Sequence, residues 1–147
     1  MDTPNRDAAW RLLATYNSDE SLLRHALAVE GVMRYFAPAF GGDPEEWGIV
    51  GLLHDLDYQQ YPDQHCIKTG EILTEEGWPG EWIRAVMSHG WGICTDLEPL
   101  TDMEKVLFTI DELTGLVAAA ALVRPSRSVM DLEVKSVKKK FKQASFA

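Results

Sequence analysis

The sequence predicts an all-α fold, a bundle of about six to seven helices, on three observations. Apolar residues recur at helical spacing, as in Leu22, Ala26, Val29, Met33 and Phe36. Helix-start chemistry recurs too. Asp43-Pro44-Glu45-Glu46 offers a cap residue, a proline at the first helical position and two acids at the positive end of the helix dipole, and Thr101-Asp102-Met103-Glu104 has the capping-box pattern. Finally, no stretch shows convincing strand alternation, and no repeat or low-complexity segment is evident.

Taken in order, Pro4 suits the first turn of a helix carrying Ala8, Trp10, Leu12, Leu13 and Tyr16 to about Asn17. Ser18 or Asp19 caps the second helix, whose apolar stripe includes His25, and Pro38 with Gly41-Gly42 ends that segment. The third helix starts near Asp43, runs to Gly51-Leu52-Leu53-His54-Asp55-Leu56-Asp57 and is broken by Tyr58-Gln59-Gln60-Tyr61-Pro62. Asp63 caps a fourth helix with His65 near its start. A fifth, from Glu81 to about His89, is stopped by Gly90-Trp91-Gly92. The sixth begins at Thr101 and places Leu107, Ile110, Asp111 and Thr114 on one side. After the break at Arg124-Pro125-Ser126, a last basic helix is expected from about Ser128 to Lys142, with Val137 and Phe141 packing on the body.

The 147 residues fit one domain, with 46% hydrophobic and 25% charged residues as in globular proteins. No apolar run approaches the roughly 20 residues of a membrane helix. The stretch Met1 to Asp7 has no apolar export segment, and Cys66 and Cys94 form no zinc-type pair, so a cytoplasmic protein with reduced thiols is expected. Charge is uneven: 7 Lys/Arg against 21 Asp/Glu in residues 1–123, then 7 against 2 in 124–147. The acidic body argues against a general nucleic-acid binder, and the basic tail, Lys135 to Lys142, reads as a solvated helix face, with phosphate contact as the alternative.

The organising feature is the doublet His54-Asp55 at the end of an apolar helix. A charged carboxylate there is expensive to bury unless it is paired or bound to a metal. His25 lies on an apolar stripe, His89 follows Val86 by one turn, and Asp111 is an acid on a largely apolar face. Each alone fits a core histidine or a solvated acid, but together they call for a common reason to converge, which a divalent metal supplies. Imidazole with carboxylate suits iron, manganese or zinc; calcium and magnesium favour oxygen alone. Trp78, Trp82 and Trp91 read as core or pocket lining, and Cys66 as a small buried hydrophobe.

With these residues in view, the chain resembles the HD superfamily of metal-dependent phosphohydrolases over about residues 20–115. The family's lone His, His-Asp doublet and later Asp match His25, His54-Asp55 and Asp111. A two-metal subset inserts two further histidines, and His65 and His89 fall where that subset has them. The resemblance implies that His25, His54, Asp55 and Asp111 bind a first metal, with Asp55 bridging to a second held by His65 and His89. It also implies an enzyme cleaving a phosphoester of a nucleotide or other small phosphorylated metabolite, with one or two Fe, Mn or Zn ions as cofactor. Asp55 and Asp57 are the catalytic candidates, Asp55 keeping the metals in place and Asp57, or else Glu112, orienting their ligands. Many relatives follow the doublet with a phosphate-holding lysine, whereas this chain has Asp57-Tyr58-Gln59-Gln60, which leaves Lys68, Arg84 and Arg24 as substrate-binding candidates. Two alternatives use the same residues: an HD-type di-iron oxygenase, and a ligand-binding module in which the metal is a structural staple.

Overall fold

The computed structural model describes residues 4–143; the Met1-Asp2-Thr3 start, read above for an export signal, lies outside them. These residues form seven α-helices: α1 (Arg6–Tyr16), α2 (Glu20–Phe36), α3 (Pro44–Leu53), α4 (Ile67–Glu75), α5 (Gly80–Ser88), α6 (Asp102–Leu122) and α7 (Val134–Phe141). Two 3₁₀ turns, Ala37–Phe40 and Pro62–Gln64, join them, and the described residues contain no strand. No described helix is long and apolar enough to cross a membrane. The chain divides into two units, the first ending at Ile110 and the second starting at Asp111, within α6.

In the first unit α3 is the central element. Every residue from Trp47 to Leu53 is buried, as expected of a helix that is apolar all round. Helices α1, α2 and α5 pack on it. Its start follows the sequence: Asp43 caps it by accepting from the Glu45 N–H at 2.9 Å, and Pro44 opens it. Gly51 lets α2 come close, since a Cβ there would stand 3.0 Å from both the Val29 carbonyl oxygen and Met33 Cγ. That approach sets His25 on α2 beside His54 at the end of α3.

Other boundaries depart from expectation for local reasons. Asn5 caps α1 by accepting from Ala8 N–H, so Pro4 precedes the helix instead of opening it. α3 stops at Leu53, and residues 54–60 form turns, with Leu56 N–H bonded to Leu53 and Tyr58 N–H to Asp55. α4 starts at Ile67, so Asp63 is not its cap, and His65 lies before the helix in a turn. The predicted capping box is formed. Thr101 Oγ1 accepts from Glu104 N–H at 3.2 Å, and Glu104 Oε1 accepts from Thr101 N–H at 2.9 Å. The three tryptophans divide: Trp82 is core, Trp78 packs against it, and Trp91 is 40% exposed.

Buried Glu30 ties α1 to α2. Its carboxylate accepts from Arg6 at 3.0 and 3.1 Å and from Arg34 at 3.1 and 3.3 Å. Burial pushes its pKa up, but the bonds from Arg6 and Arg34 prevail and hold it below the ordinary 4.5. A depressed carboxylate stabilises the fold above its unfolded pKa and loses that contribution as pH falls through its folded value. Glu30→Gln is therefore expected to lower stability at neutral pH, by a margin that shrinks below about pH 4.5. Urea midpoints of both chains from pH 7 to pH 3 measure this; a margin independent of pH would contradict it.

In the second unit, the last helix is shorter than the sequence predicts. Ser126 Oγ donates to Asp131 at 2.8 Å and accepts from Ser128 N–H, while Ser128 Oγ accepts from Met130 N–H. These side-chain bonds replace the helical ones over residues 126–131. Phe141, expected to pack, is 75% exposed.

Candidate metal centre

The doublet turn is fixed from two sides. Gln59 Oε1 accepts from Ser18 and Asp19 N–H at 2.9 and 2.8 Å, and Asn17 Nδ2 donates to the Leu56 carbonyl at 2.9 Å, so the turn is held to the start of α2. Asp57 is fully buried. Its Oδ2 accepts from Thr69 N–H at 2.9 Å while its own N–H donates to Thr69 Oγ1 at 3.1 Å, which clasps the turn to α4.

Asp55 stands in the middle of four imidazoles. Its Oδ2 is 3.0 Å from His54 Nε2 and 3.6 Å from His25 Nε2, and those two nitrogens are 3.3 Å apart. Its Oδ1 is 3.3 Å from both His65 Nε2 and His89 Nε2, which are again 3.3 Å apart. The carboxylate is thus shared by two similar triangles of donor atoms. A triangle with sides near 3.3 Å has its corners roughly 2 Å from its centre, the bond length of zinc to imidazole nitrogen or carboxylate oxygen.

The ring orientations fit the same purpose. His54 donates from Nδ1 to the Gly51 carbonyl at 2.6 Å, His89 from Nδ1 to the Val86 carbonyl, and His65 from Nδ1 to Asp57 Oδ1 at 2.6 Å. With the proton on Nδ1, a neutral ring presents a lone pair at Nε2. When the rings are neutral, the Nε2 atoms of His65 and His89 face each other lone pair to lone pair, an arrangement that a cation between them, or a proton in its place, makes favourable. Such orienting bonds are the usual second layer of a metal site.

Electrostatics make the same demand for positive charge. Burial opposes ionisation of Asp55, but the adjacent imidazole of His54 and bonds from His54, His65 and His89 carry it well below the usual carboxylate range. Burial likewise opposes charging of His65 and His89. Asp55 and Asp57 nevertheless push His65 up to about 12, and Asp55 brings His89 to about 9. The donor set, four imidazoles around one carboxylate, fits a divalent transition metal.

Of the predicted ligands, His25, His54, Asp55, His65 and His89 come together. Asp111 is half-buried on α6 and is the first residue of the second unit. Among the predicted cationic candidates, Arg24 is an exposed partner of Glu20. Arg84 is held by Glu104 and the Glu98 carbonyl, and Lys68 pairs with Glu71 at 3.3 Å and lies over the Tyr61 ring.

No protein-family model, curated protein or solved structure matches the chain.

Two residues gain a role that sequence reasoning did not give them. Thr69 clasps Asp57 from twelve positions away, a separation no local pattern marks. Cys66 is buried as expected, but its φ of 72° is in the left-handed region and its Sγ lies 3.9 Å from His89 Nε2. His65, Cys66 and His89 place donor atoms within 4.8 Å of one another. Burial would raise the Cys66 thiol, but His65 and His89 bring it down to about 7.

Asp57 acts through His65. Asp57→Asn keeps the shape but removes the charge, and is expected to weaken metal affinity by roughly 10–100-fold. Competition with a chromogenic chelator measures this. Unchanged affinity would show that the bond to His65 does not tune the site.

Proposed function

We propose that this chain is a metal-dependent phosphohydrolase of the HD type, cleaving a phosphoester of a nucleotide or other small phosphorylated metabolite. The observation that carries the reading is the Asp55 carboxylate shared between two pairs of histidines, each forming a near-equilateral set of donor atoms. His25, His54 and Asp55 would hold one ion, with Asp111 as the fourth ligand on the family pattern; His65, His89 and Asp55 would hold the second. A divalent transition metal bound there would lower the pKa of coordinated water towards about 7 and polarise phosphoryl oxygens.

The chain's own residues set the conditions for in-line attack of water on phosphorus. The Gly51 and Val86 carbonyls fix the His54 and His89 rings in the Nδ1–H tautomer. Asp57 does the same for His65 and is a positioning residue, since it is buried and fully engaged by His65 and Thr69. Lys68 is the cation next in sequence to His65 and the candidate to receive the substrate's phosphate.

A second reading rests on the same carboxylate, because a carboxylate shared by four imidazoles also suits an iron pair activating O₂. Elemental analysis of the purified chain, followed by a phosphoester panel with Mn²⁺, Fe²⁺, Co²⁺ and Zn²⁺, separates the two. The expected result is at least one transition metal per chain and turnover of a phosphomonoester or phosphodiester. A loaded chain that hydrolyses nothing on the panel overturns the proposal. Iron-dependent O₂ consumption with a polyol or phosphonate transfers the site to oxygenase chemistry.

A further inference from the structure

The two cysteines meet at one glycine. Gly90 follows His89, and the turn behind it folds Cys94 back, with the Cys94 N–H donating to the Gly90 carbonyl at 2.7 Å. A Cβ on Gly90 would stand 2.6 Å from Cys66 Sγ, 3.6 Å from Cys66 Cβ and 3.1 Å from Cys94 Cβ. The cysteines thus share the space that a side chain at position 90 would fill. The Cβ atoms of a disulfide stand about 3.5–4.5 Å apart, so the two backbones are held near the span that such a bond bridges. Both thiols are free. Burial raises the Cys94 thiol, and the neighbouring Cys66 raises it further.

The pair has one accessible and one enclosed member. Cys94 is half-buried, whereas Cys66 is buried. Cys66 precedes α4 with a φ of 72°, a conformation that residues with side chains rarely adopt. Its surroundings are the second pair of imidazoles: His65 is the residue before it, and His89 Nε2 lies 3.9 Å from its Sγ.

We propose that Cys66 and Cys94 form an intramolecular disulfide when hydrogen peroxide oxidises the chain, and that this bond loosens the ion held by His65 and His89. The second half rests on the two-ion reading given above. The Cys94 sulfur attacks the peroxide, the O–O bond breaks, and Cys94 becomes a sulfenic acid with one water as product. Cys66 Sγ then attacks that sulfur. The S–S bond forms, the S–O bond breaks, and hydroxide leaves with the Cys66 proton as a second water. Two electrons pass from the two thiols to the peroxide. Closing the bond draws the residue after His65 towards the turn after His89, and so shifts their Nε2 atoms from the 3.3 Å spacing that suits a shared ion. In a reducing compartment such a bond is transient, as redox sensing requires.

The test treats the full chain with hydrogen peroxide and then alkylates it in the unfolded state. The expected result is a monomer with no alkylatable thiol, a peptide pair joined through Cys66 and Cys94 in the mass spectrum, and both thiols restored by dithiothreitol. Zinc competition with a chromogenic chelator is expected to show affinity weaker by roughly 10-fold in the oxidised chain than in the reduced one. Cys94→Ser cannot close the bond, so its zinc affinity is expected to be the same before and after peroxide. Thiols that stay alkylatable, oxidation that stops at sulfenic or sulfinic acid, or bonds only between chains overturn the proposal. A disulfide that leaves zinc affinity unchanged overturns the switch, as does a loss of affinity that persists in Cys94→Ser. Absence of zinc binding in the reduced chain overturns the metal reading and the switch with it, while the thiol count still decides the disulfide.

Discussion

Replacing Asp55 by alanine is expected to strip the chain of bound transition metal and to lower phosphoester hydrolysis by more than roughly 100-fold. Its Oδ1 meets His65 and His89 and its Oδ2 meets His25 and His54, so this one side chain faces four imidazoles. Removing it takes one donor from each triangle and leaves the four imidazoles without the carboxylate they share. A His65→Ala change removes one donor from one triangle only, so it is expected to leave more metal per chain than Asp55→Ala does. Elemental analysis of both variants, with circular dichroism to verify helicity, decides the matter. Metal content that is the same in Asp55→Ala as in the unmodified chain would falsify the shared-carboxylate account.

Glu104→Ala is expected to be the most damaging change for stability, at about 3 kcal/mol. Its side chain is 2% exposed. One oxygen accepts from the Leu100 and Thr101 N–H groups, and the other accepts from Arg84. Alanine removes half of the capping box, itself about 1 kcal/mol, and leaves the Arg84 guanidinium without its carboxylate. Arg84 is about one-third exposed, so water recovers part of that loss, and the expectation is set at the low end of the range for broken buried pairs. Glu104→Gln keeps an acceptor for the two N–H groups and should lose less. Urea denaturation of the three chains reads the order; equal stability of Glu104→Ala and the unmodified chain contradicts the assignment.

Much of the helical layout is local and was legible for that reason. The cap at Asp43, the proline after it and the box at Thr101 and Glu104 are decided by residues within four positions of each other, and each is present. Local competition was harder to weigh. Asn5 takes the cap and leaves Pro4, expected in the first turn, outside the helix, and serine side chains at 126 and 128 take the bonds that a longer α7 needs.

For the site, the sequence by itself determined the residue types and their order, a doublet at the end of an apolar helix with three more histidines on other elements. What only the tertiary structure decided is their relation: which oxygen of Asp55 meets which pair, that Asp57 holds His65, and that Thr69 holds Asp57. These contacts join residues up to 34 positions apart. Their geometry comes from the close passage of α2 over Gly51 and from the turn at 54–60, pinned by Gln59 and Asn17. Spacing along a chain specifies which face of one helix a side chain occupies; the distance between atoms on different helices follows only from how the helices pack.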